Sequence, residues 1–222
     1  MTHKTILHHV PYSRSFRVLW LLCEMGIEHD IRTYSIVDGS LRDPDYLTRS
    51  PAGRVPALEI DGITIFESGA IVEYLCETRP EFGFGRAPGD PERAAFLTWM
   101  HYAETMAQPI ANLNLQWVFL RDPATRSDTV LKLEAARLRK TLEPLEEILG
   151  RQDHILTSGF SGVDIMLGFN LFAVPFFVRM DPFPNLRAYC KRMESRAAYL
   201  QAVAIEGPQS FYAQDFYEVA RD

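Results

Sequence analysis

Residues 53–75 contain side chains and backbone features that could hold a small zwitterion. Apolar residues from position 71 to 75 recur at helical spacing, so Glu67 and Ser68 stand where that helix begins. The first amide groups of a helix have no partner within the helix and attract an anion, whereas the Glu67 carboxylate can pair with a cation. An anion site beside a cation site suits the zwitterionic end of an amino acid.

The Val55-Pro56 step could offer backbone groups to an extended ligand. Proline disfavours a helical backbone at the residue before it, so the chain reaches the next strand in an extended conformation. At a sheet edge, such a residue can present its N–H and C=O to a peptide. The segment therefore predicts a peptide site. Structural roles are the alternative: a helix cap for Ser68, a first-turn acid for Glu67 and a strand-edge proline for Pro56.

The spacing of histidines and serines disfavours metal and serine-hydrolase chemistry. His8 and His9 are neighbours in a predicted strand, so their rings point to opposite faces and cannot share one ion. His101 and Glu104 lie one helical turn apart, but no further ligand is recognisable in the sequence. No G-x-S-x-G motif occurs. We therefore expect no metal site.

The elements that must position the peptide site follow an α/β order in the first 80 residues. Asp61-Gly62 is typical of a tight hairpin turn, because both residues adopt positive φ angles readily. The predicted order is strand 5–10, helix 16–25, extended segment 27–37, helical turn 45–48, and a hairpin of strands 57–60 and 63–66.

Beyond a Pro- and Gly-rich segment at residues 79–90, the pattern becomes helical almost throughout. Ser161 and Asp164 have capping-box spacing, with Asp in place of the usual Glu or Gln. The predicted helices run from 91 to about 120, from a cap at Ser127 to 149, from the capping box to about 179, and from 184 to 203.

Composition limits the partners and the compartment. The net charge of −6 provides no basic surface for neutralising many phosphates, so nucleic acid is not an expected partner. Three cysteines without CxxC spacing indicate neither a disulfide framework nor a zinc knuckle. The first ten residues lack the apolar run of a signal peptide, and the uncharged stretch 165–178 is too short to span a bilayer. We expect a cytoplasmic protein with no membrane segment.

An extended step into proline, a hairpin, and Glu-Ser at a helix start resemble, in this order, the glutathione-binding half of the glutathione transferase family. GFSGVDIMLG and PNLRAYCKRMESRAAY are similar to its capped core helix and terminal helix, and VPYSRSFRVLWLLCEMG is similar to its serine-type bacterial and fungal branch. The resemblance covers nearly the whole chain. It implies an α/β thioredoxin-like N-terminal domain (1–80), a linker (81–90), an all-α C-terminal domain (91–222) and a homodimer.

The resemblance also implies a residue that hydrogen-bonds the glutathione sulfur. In the family it lies in the turn before the first helix, four positions before an arginine, and counting back from Arg17 gives Ser13. Tyr12 and Ser15 are close enough to be rivals, and either serine can equally serve as a simple helix cap. A free thiol has a pKa of about 8.5, and a hydroxyl donor beside helix amides favours the thiolate. The serine would be a donor, not a nucleophile.

Glutathione would use the remaining site residues as the resemblance implies. Its γ-glutamyl end would bind at Glu67 and Ser68, and its cysteine backbone on Val55 beside Pro56. The glycine carboxylate needs a cation, for which Arg54 and Arg42 are candidates. The helix facing the apolar co-substrate would carry an aromatic stripe, although such stripes are more often core; its residues are Trp99, Tyr102 and Met106.

The predicted function is a glutathione transferase that conjugates the glutathione thiolate to small apolar electrophiles in detoxification. A glutathione-dependent peroxidase and a non-catalytic ligand-carrying or regulatory protein are alternatives on the same fold. A thiol-disulfide oxidoreductase is a further rival. That chemistry normally uses a cysteine in the sulfur-handling turn, and residues 12–15 contain none.

Overall fold

The computed structural model describes residues 4–218. This part of the chain forms two compact units. The first contains residues 4–90 and Ser195–Pro208, and the second contains Pro91–Glu194 and residues 209–218. The domain limits of 1–80 and 91–222 stay a prediction. In the structure, Ser195–Pro208 packs with the first unit.

The strands and helices of the described residues follow the predicted order up to residue 184. The strands are β1 Ile6–His9, β2 Asp30–Thr33, β3 Ala57–Ile60 and β4 Ile63–Phe66. The helices are α1 Ser15–Glu24, α2 Pro44–Leu47, α3 Ser68–Thr78, α4 Arg93–Asn114, α5 Asp128–Leu149, α6 Gly162–Ala173, α7 Pro184–Glu194 and α8 Ala197–Glu206.

The first unit is built on a mixed sheet with strand order β2-β1-β3-β4. β1 pairs in parallel with β2 and antiparallel with β3, and β4 completes the hairpin with β3. Asp61 and Gly62 have φ angles of 54° and 79°, which both central residues of a tight two-residue turn require. The predicted thioredoxin-like sheet and its hairpin are confirmed.

Helix α1 forms the centre of the first unit. Its residues Val18, Leu19, Leu21 and Leu22 are fully buried, and it packs against both α3 and α8. Because neighbours surround it on several sides, α1 is apolar on most of its faces. This packing fixes the position of the turn that precedes α1.

The second unit is helical. α4 packs against α5 and α6, and the Asn170 side chain donates a hydrogen bond of 2.6 Å to the Ala103 carbonyl. The predicted capping box is confirmed: Ser161 caps α6, and the Asp164 carboxylate accepts the Ser161 amide at 2.8 Å. The all-α second part of the predicted fold is therefore confirmed. Within residues 4–218, no helix has the length and apolarity needed to cross a membrane.

The single helix predicted for residues 184–203 is wrong. The structure has two helices there, α7 and α8, because the backbone at Arg196 is extended with φ −68° and ψ 135°. The Arg196 guanidinium pairs with Glu24 on α1 at 2.6 and 2.8 Å. α7 belongs to the second unit and α8 to the first, so each helix packs on different partners and they do not form one rod.

Candidate active site

The β1–α1 turn contains the predicted sulfur-handling residue. Tyr12 has a φ of 58°, and α1 begins three residues later at Ser15. The Ser13 hydroxyl is half-buried and lies 2.7 Å from the Ser15 hydroxyl. The Ser15 amide donates to Ser13 Oγ at 3.3 Å. This arrangement leaves Ser13 Oγ at the opening of the helix.

The two rival hydroxyls have other partners. Tyr12 donates its hydroxyl to the Gly207 carbonyl, and burial, followed by the nearby Glu206 charge, raises its pKa. Ser15 is fully buried, and its hydroxyl lies 2.8 Å from His9 Nδ1. These contacts favour Ser13 over Tyr12 and Ser15 as the hydroxyl that meets a ligand.

The start of α3 brings together the predicted acid and serine. Glu67 precedes the helix with φ 72° and ψ 116°, and among the described residues its side chain makes no capping hydrogen bond. Its carboxylate is exposed. Ser68 is buried, and its hydroxyl accepts a hydrogen bond of 2.9 Å from Arg17. The acid therefore lies at a helix start, as the sequence predicts, and it faces solvent.

Arg17 connects the two helix starts. It lies in the first turn of α1 and is fully buried, while its guanidinium reaches Ser68 on α3. A buried guanidinium beside a helix N-terminus adds positive potential to the unsatisfied amides there. Arg17 thus connects the first turn of α1, which follows Ser13, to the start of α3.

The segment before β3 contains the residues that are predicted to offer backbone contacts to a ligand. The Val55-Pro56 bond is cis, Val55 is half-buried and Arg54 is exposed. The Arg54 carbonyl accepts hydrogen bonds from Tyr46 at 2.6 Å and Ser50 at 2.7 Å, which hold the segment in place. Among the candidate cations for a carboxylate, Arg42 is exposed as well.

Sequence reasoning missed Glu206, the last residue of α8. Its side chain is 1% exposed, and its Oε2 accepts the Tyr12 amide at 2.6 Å. Burial raises its pKa from 4.5 to about 7. His9 Nε2 lies 3.3 Å from Glu206 Oε1, and burial lowers the pKa of His9 to about 4. In the sequence, the only indication of a role for Glu206 is an acid at the end of a mostly apolar helix. This pattern does not identify its partner.

His8 and His9 lie on opposite faces of β1, as predicted. His8 Nε2 contacts Glu59 at 2.8 Å, and its Nδ1 lies 2.9 Å from the Tyr34 hydroxyl. Burial lowers the pKa of His8 despite the opposing effect of Glu59. Within the described range, no group of three or more His, Cys, Asp or Glu side chains could hold a metal ion.

Two family models match this chain. The model described as the glutathione S-transferase N-terminal domain matches residues 3–77, and the corresponding C-terminal domain model matches residues 128–192. The chain belongs to the glutathione transferase family. Both matches agree with the mixed sheet followed by helices in the structure.

Curated and solved relatives of this glutathione transferase family member are similar along most of their length. Glutathione S-transferase 3 of Schizosaccharomyces pombe is 26% identical over 87% of this chain and 84% of its own. A glutathione S-transferase of Silene vulgaris is 29% identical over 86% of this chain and 92% of its own. A sphingomonad glutathione S-transferase solved in complex with glutathione is 28% identical, with a TM-score of 0.77 over 90% of this chain and 98% of that one.

The predicted aromatic stripe of this glutathione transferase family member contains both half-buried and fully buried residues. Trp99 and Tyr102 are half-buried, and their rings meet edge to face at 4.9 Å. Tyr102 donates its hydroxyl to the Thr141 carbonyl at 3.1 Å. Met106 is fully buried, so its position favours a core role over the predicted pocket role.

All three cysteine thiols of this family member have raised pKa values. Burial raises the pKa of Cys23 to about 11 and those of Cys76 and Cys190 to about 12. A thiol that remains protonated at neutral pH is a poor nucleophile. The environment of these cysteines therefore disfavours a protein thiol as the reacting group.

Proposed function

We propose that the protein binds glutathione and conjugates its thiolate to small apolar electrophiles. The observation that carries this proposal is the half-buried Ser13 hydroxyl at the start of α1, with Arg17 connecting this helix to the start of α3. In this family, such a region is where glutathione would bind. The Ser13 hydroxyl would donate a hydrogen bond to the thiolate sulfur and would not act as a nucleophile.

The two ends of glutathione would use different parts of the first unit. The exposed Glu67 carboxylate would pair with the α-ammonium of the γ-glutamyl group. Because Ser68 Oγ accepts from Arg17, its own hydrogen remains available to the α-carboxylate. Val55, held beside Pro56, would offer its backbone to the cysteinyl residue, and the exposed Arg54 would meet the glycine carboxylate.

Thiolate stabilisation and proximity would supply most of the rate enhancement. A free thiol with a pKa of about 8.5 is only a few per cent ionised at neutral pH. Lowering this pKa by one unit corresponds to about 1.4 kcal/mol of preferential stabilisation of the anion. Trp99 and Tyr102 are the candidates to line the pocket of the electrophile, which the thiolate then attacks at carbon.

Replacing Ser13 tests the proposal. In Ser13→Ala, the sulfur loses its hydroxyl donor, so the thiol pKa rises by about one to two units and activity at neutral pH falls about 10- to 100-fold. Activity should partly recover at higher pH, while glutathione affinity stays nearly normal. Steady-state turnover of a halogenated aromatic against pH, together with calorimetric titration of glutathione, measures both effects.

Thr129→Ala is a matched control, because it removes an exposed hydroxyl from the first turn of α5. It should behave as the wild-type protein. Unchanged activity in Ser13→Ala would transfer the role to Tyr12 or Ser15. Wild-type protein that binds glutathione but turns over neither a halogenated aromatic nor a peroxide would instead be a ligand-carrying protein.

Assembly and location are further parts of the proposal. We expect a cytoplasmic homodimer, as in the family that the sequence resembles. Sedimentation velocity measures the assembly directly, and a monomer at micromolar concentration would contradict it. Fractionation of cells that express the full chain tests the location.

A further inference from the structure

A chain of four buried or half-buried polar groups runs from the end of α8 to the opening of α1. Ser13 Oγ lies 2.7 Å from Ser15 Oγ, and Ser15 Oγ lies 2.8 Å from His9 Nδ1. The other ring nitrogen, His9 Nε2, lies 3.3 Å from Glu206 Oε1. We call the four groups the relay; they are Ser13, Ser15, His9 and Glu206.

The far end of the relay is the Glu206 carboxyl. Glu206 Oε2 accepts the Tyr12 amide, whereas no donor within residues 4–218 forms a hydrogen bond of good geometry with Oε1. The titratable groups that face this carboxyl are His9 on β1 and the Tyr12 phenol in the adjoining turn. His9 Nε2 lies 3.3 Å from Oε1, which makes it the donor in position to reach this oxygen.

The donors and acceptors of the relay allow two arrangements of its hydrogens, in which the hydrogen bonds point in opposite directions. Ser15 Oγ accepts the Val10 amide at 3.3 Å, so it has one further acceptor site and one hydrogen to give. When Glu206 is ionised, it accepts from His9 Nε2–H, and Nδ1 then accepts from Ser15. Ser15 in turn accepts from Ser13, which leaves an acceptor site on Ser13 Oγ. In this order, Ser13 can receive a thiol hydrogen but cannot give one.

The second order reverses every hydrogen bond. Protonated Glu206 donates to His9 Nε2, His9 Nδ1–H donates to Ser15, and Ser15 donates to Ser13. The Ser15 hydroxyl has the Val10 carbonyl as an alternative acceptor, but at 3.2 Å this contact is longer than the one with Ser13. Ser13 Oγ is now filled as an acceptor by the Ser15 hydroxyl and the Ser15 amide. Its own hydrogen is therefore directed outward, where a thiolate would accept it.

We propose that Glu206 takes up the proton of the glutathione thiol through Ser13, Ser15 and His9. This inference rests on the proposed function, because it requires glutathione sulfur beside Ser13. The S–H bond breaks as the thiol hydrogen passes to Ser13 Oγ, and each relay group passes its own hydrogen to the next. An O–H bond forms on Glu206, and the electron pair of the S–H bond remains on sulfur.

Two features keep the free-energy cost of this transfer small. The negative charge moves from Glu206 to sulfur, so the site gains no net charge and no new ion must be desolvated. The donor and acceptor are also closely matched, since the Glu206 pKa of about 7 approaches the value of about 8.5 for a free thiol. His9 remains neutral at both ends of the step, in accord with its lowered pKa.

Proton counting on ligand binding distinguishes the relay from loss of the thiol proton to water. Glutathione is added at a pH of about 8, above the Glu206 pKa, to protein in weakly buffered indicator solution. Ultraviolet absorbance measures the thiolate formed, and the indicator measures protons released. S-methylglutathione, which has no thiol, is the reference for other protonation changes. The wild-type protein should form thiolate with far less than one proton released for each thiolate.

Two variants interrupt the relay at different points. Glu206→Gln keeps an oxygen for the Tyr12 amide but cannot take up a proton. Ser15→Ala separates His9 from Ser13 without altering either. In both variants, thiolate should form with about one proton released per thiolate, and the pKa of the bound thiol should rise by about one unit. Glu24→Gln is the control, since it weakens the contact of α1 with Arg196 and leaves the relay intact.

The outcomes separate the two proposals. A wild-type protein that releases one proton for each thiolate overturns the relay while leaving the proposed function standing. The same holds if Glu206→Gln and Ser15→Ala match the wild type in proton count and thiol pKa. A wild-type protein that forms no thiolate with glutathione overturns the proposed function, and the relay with it.

Discussion

At the scale of single residues, two buried groups with opposite pKa shifts face each other in the first unit. Burial raises the pKa of Glu206 and lowers that of His9, so both are held in forms without charge more readily than in water. A histidine that stays neutral can pass hydrogens to and from the carboxyl without adding a second buried ion. The same burial makes the stability of the protein depend on pH.

Glu206→Gln should change this pH dependence in a defined direction. The Glu206 pKa is about 7 in the folded protein, compared with 4.5 for a glutamate in an unfolded chain. The folded state therefore binds this proton more tightly, and the stabilisation present at low pH is lost as pH rises through about 7. Relative to wild type, the variant should gain about 3 kcal/mol in free energy of unfolding between pH about 4 and about 8.

Urea denaturation of both proteins at several pH values measures this difference. The His9 contribution runs the opposite way, because a lowered histidine pKa disfavours the folded state below pH about 6.5. It is present in both proteins and largely cancels. A constant difference between them across the range would show that Glu206 titrates normally.

Local chemistry explains which site residues the sequence could predict. Glu67 and Ser68 follow from the position of a helix start, and the turn containing Ser13 follows from the position of α1. Glu206 could not be predicted, because its contact with Tyr12 and His9 joins opposite ends of the chain. No spacing rule connects α8 to β1. Because the sequence does not show this contact, it suggests no role for His9 other than that of a metal ligand.

At the scale of elements, turn and cap residues made the structure predictable. Asp61-Gly62 and the Ser161–Asp164 box act within a few residues, and both are confirmed. No glycine or proline marks the break between α7 and α8 in the sequence. It arises because the two helices pack on different partners, and tertiary packing of this kind overrides local helix propensity.

Asp164→Ala should destabilise the second unit strongly. The Asp164 carboxylate accepts the Ser161 amide at 2.8 Å and the Tyr189 hydroxyl at 2.7 Å, and it is fully buried. Its removal leaves these donors buried without an acceptor, which should cost about 3–5 kcal/mol in free energy of unfolding. Chemical denaturation measures the loss.

Tyr189→Phe is the matched comparison, since it removes one donor and leaves the capping box. It should cost about 1–2 kcal/mol. If the two variants lose equal stability, the cap would contribute nothing and the Tyr189 contact would account for the whole effect.

At the scale of the whole molecule, glutathione should raise the melting temperature. A ligand that binds only the folded state at about 100 times its Kd adds about 2.7 kcal/mol. For a chain of this length, that corresponds to a rise of about 5–10 °C. The Glu67→Ala variant should show a smaller rise, because the ammonium of glutathione loses its carboxylate partner. Scanning calorimetry with and without glutathione measures both shifts.

Glu81→Ala controls for loss of an exposed acid, since Glu81 follows α3 in the same unit and is exposed. Its melting shift with glutathione should equal that of the wild type. A wild-type shift in Glu67→Ala would remove Glu67 from the proposed site.

The return of α8 to the first unit has a consequence for synthesis on the ribosome. The sheet and α1 emerge early, but the helix that covers Phe16 and Trp20 through Tyr199 is made only after residues 91–194 of the second unit. Until then, the nascent unit exposes an apolar surface that chaperones could bind. Glu206 is made with this helix, so a chain that stops before α8 would lack the proton acceptor that the relay proposes.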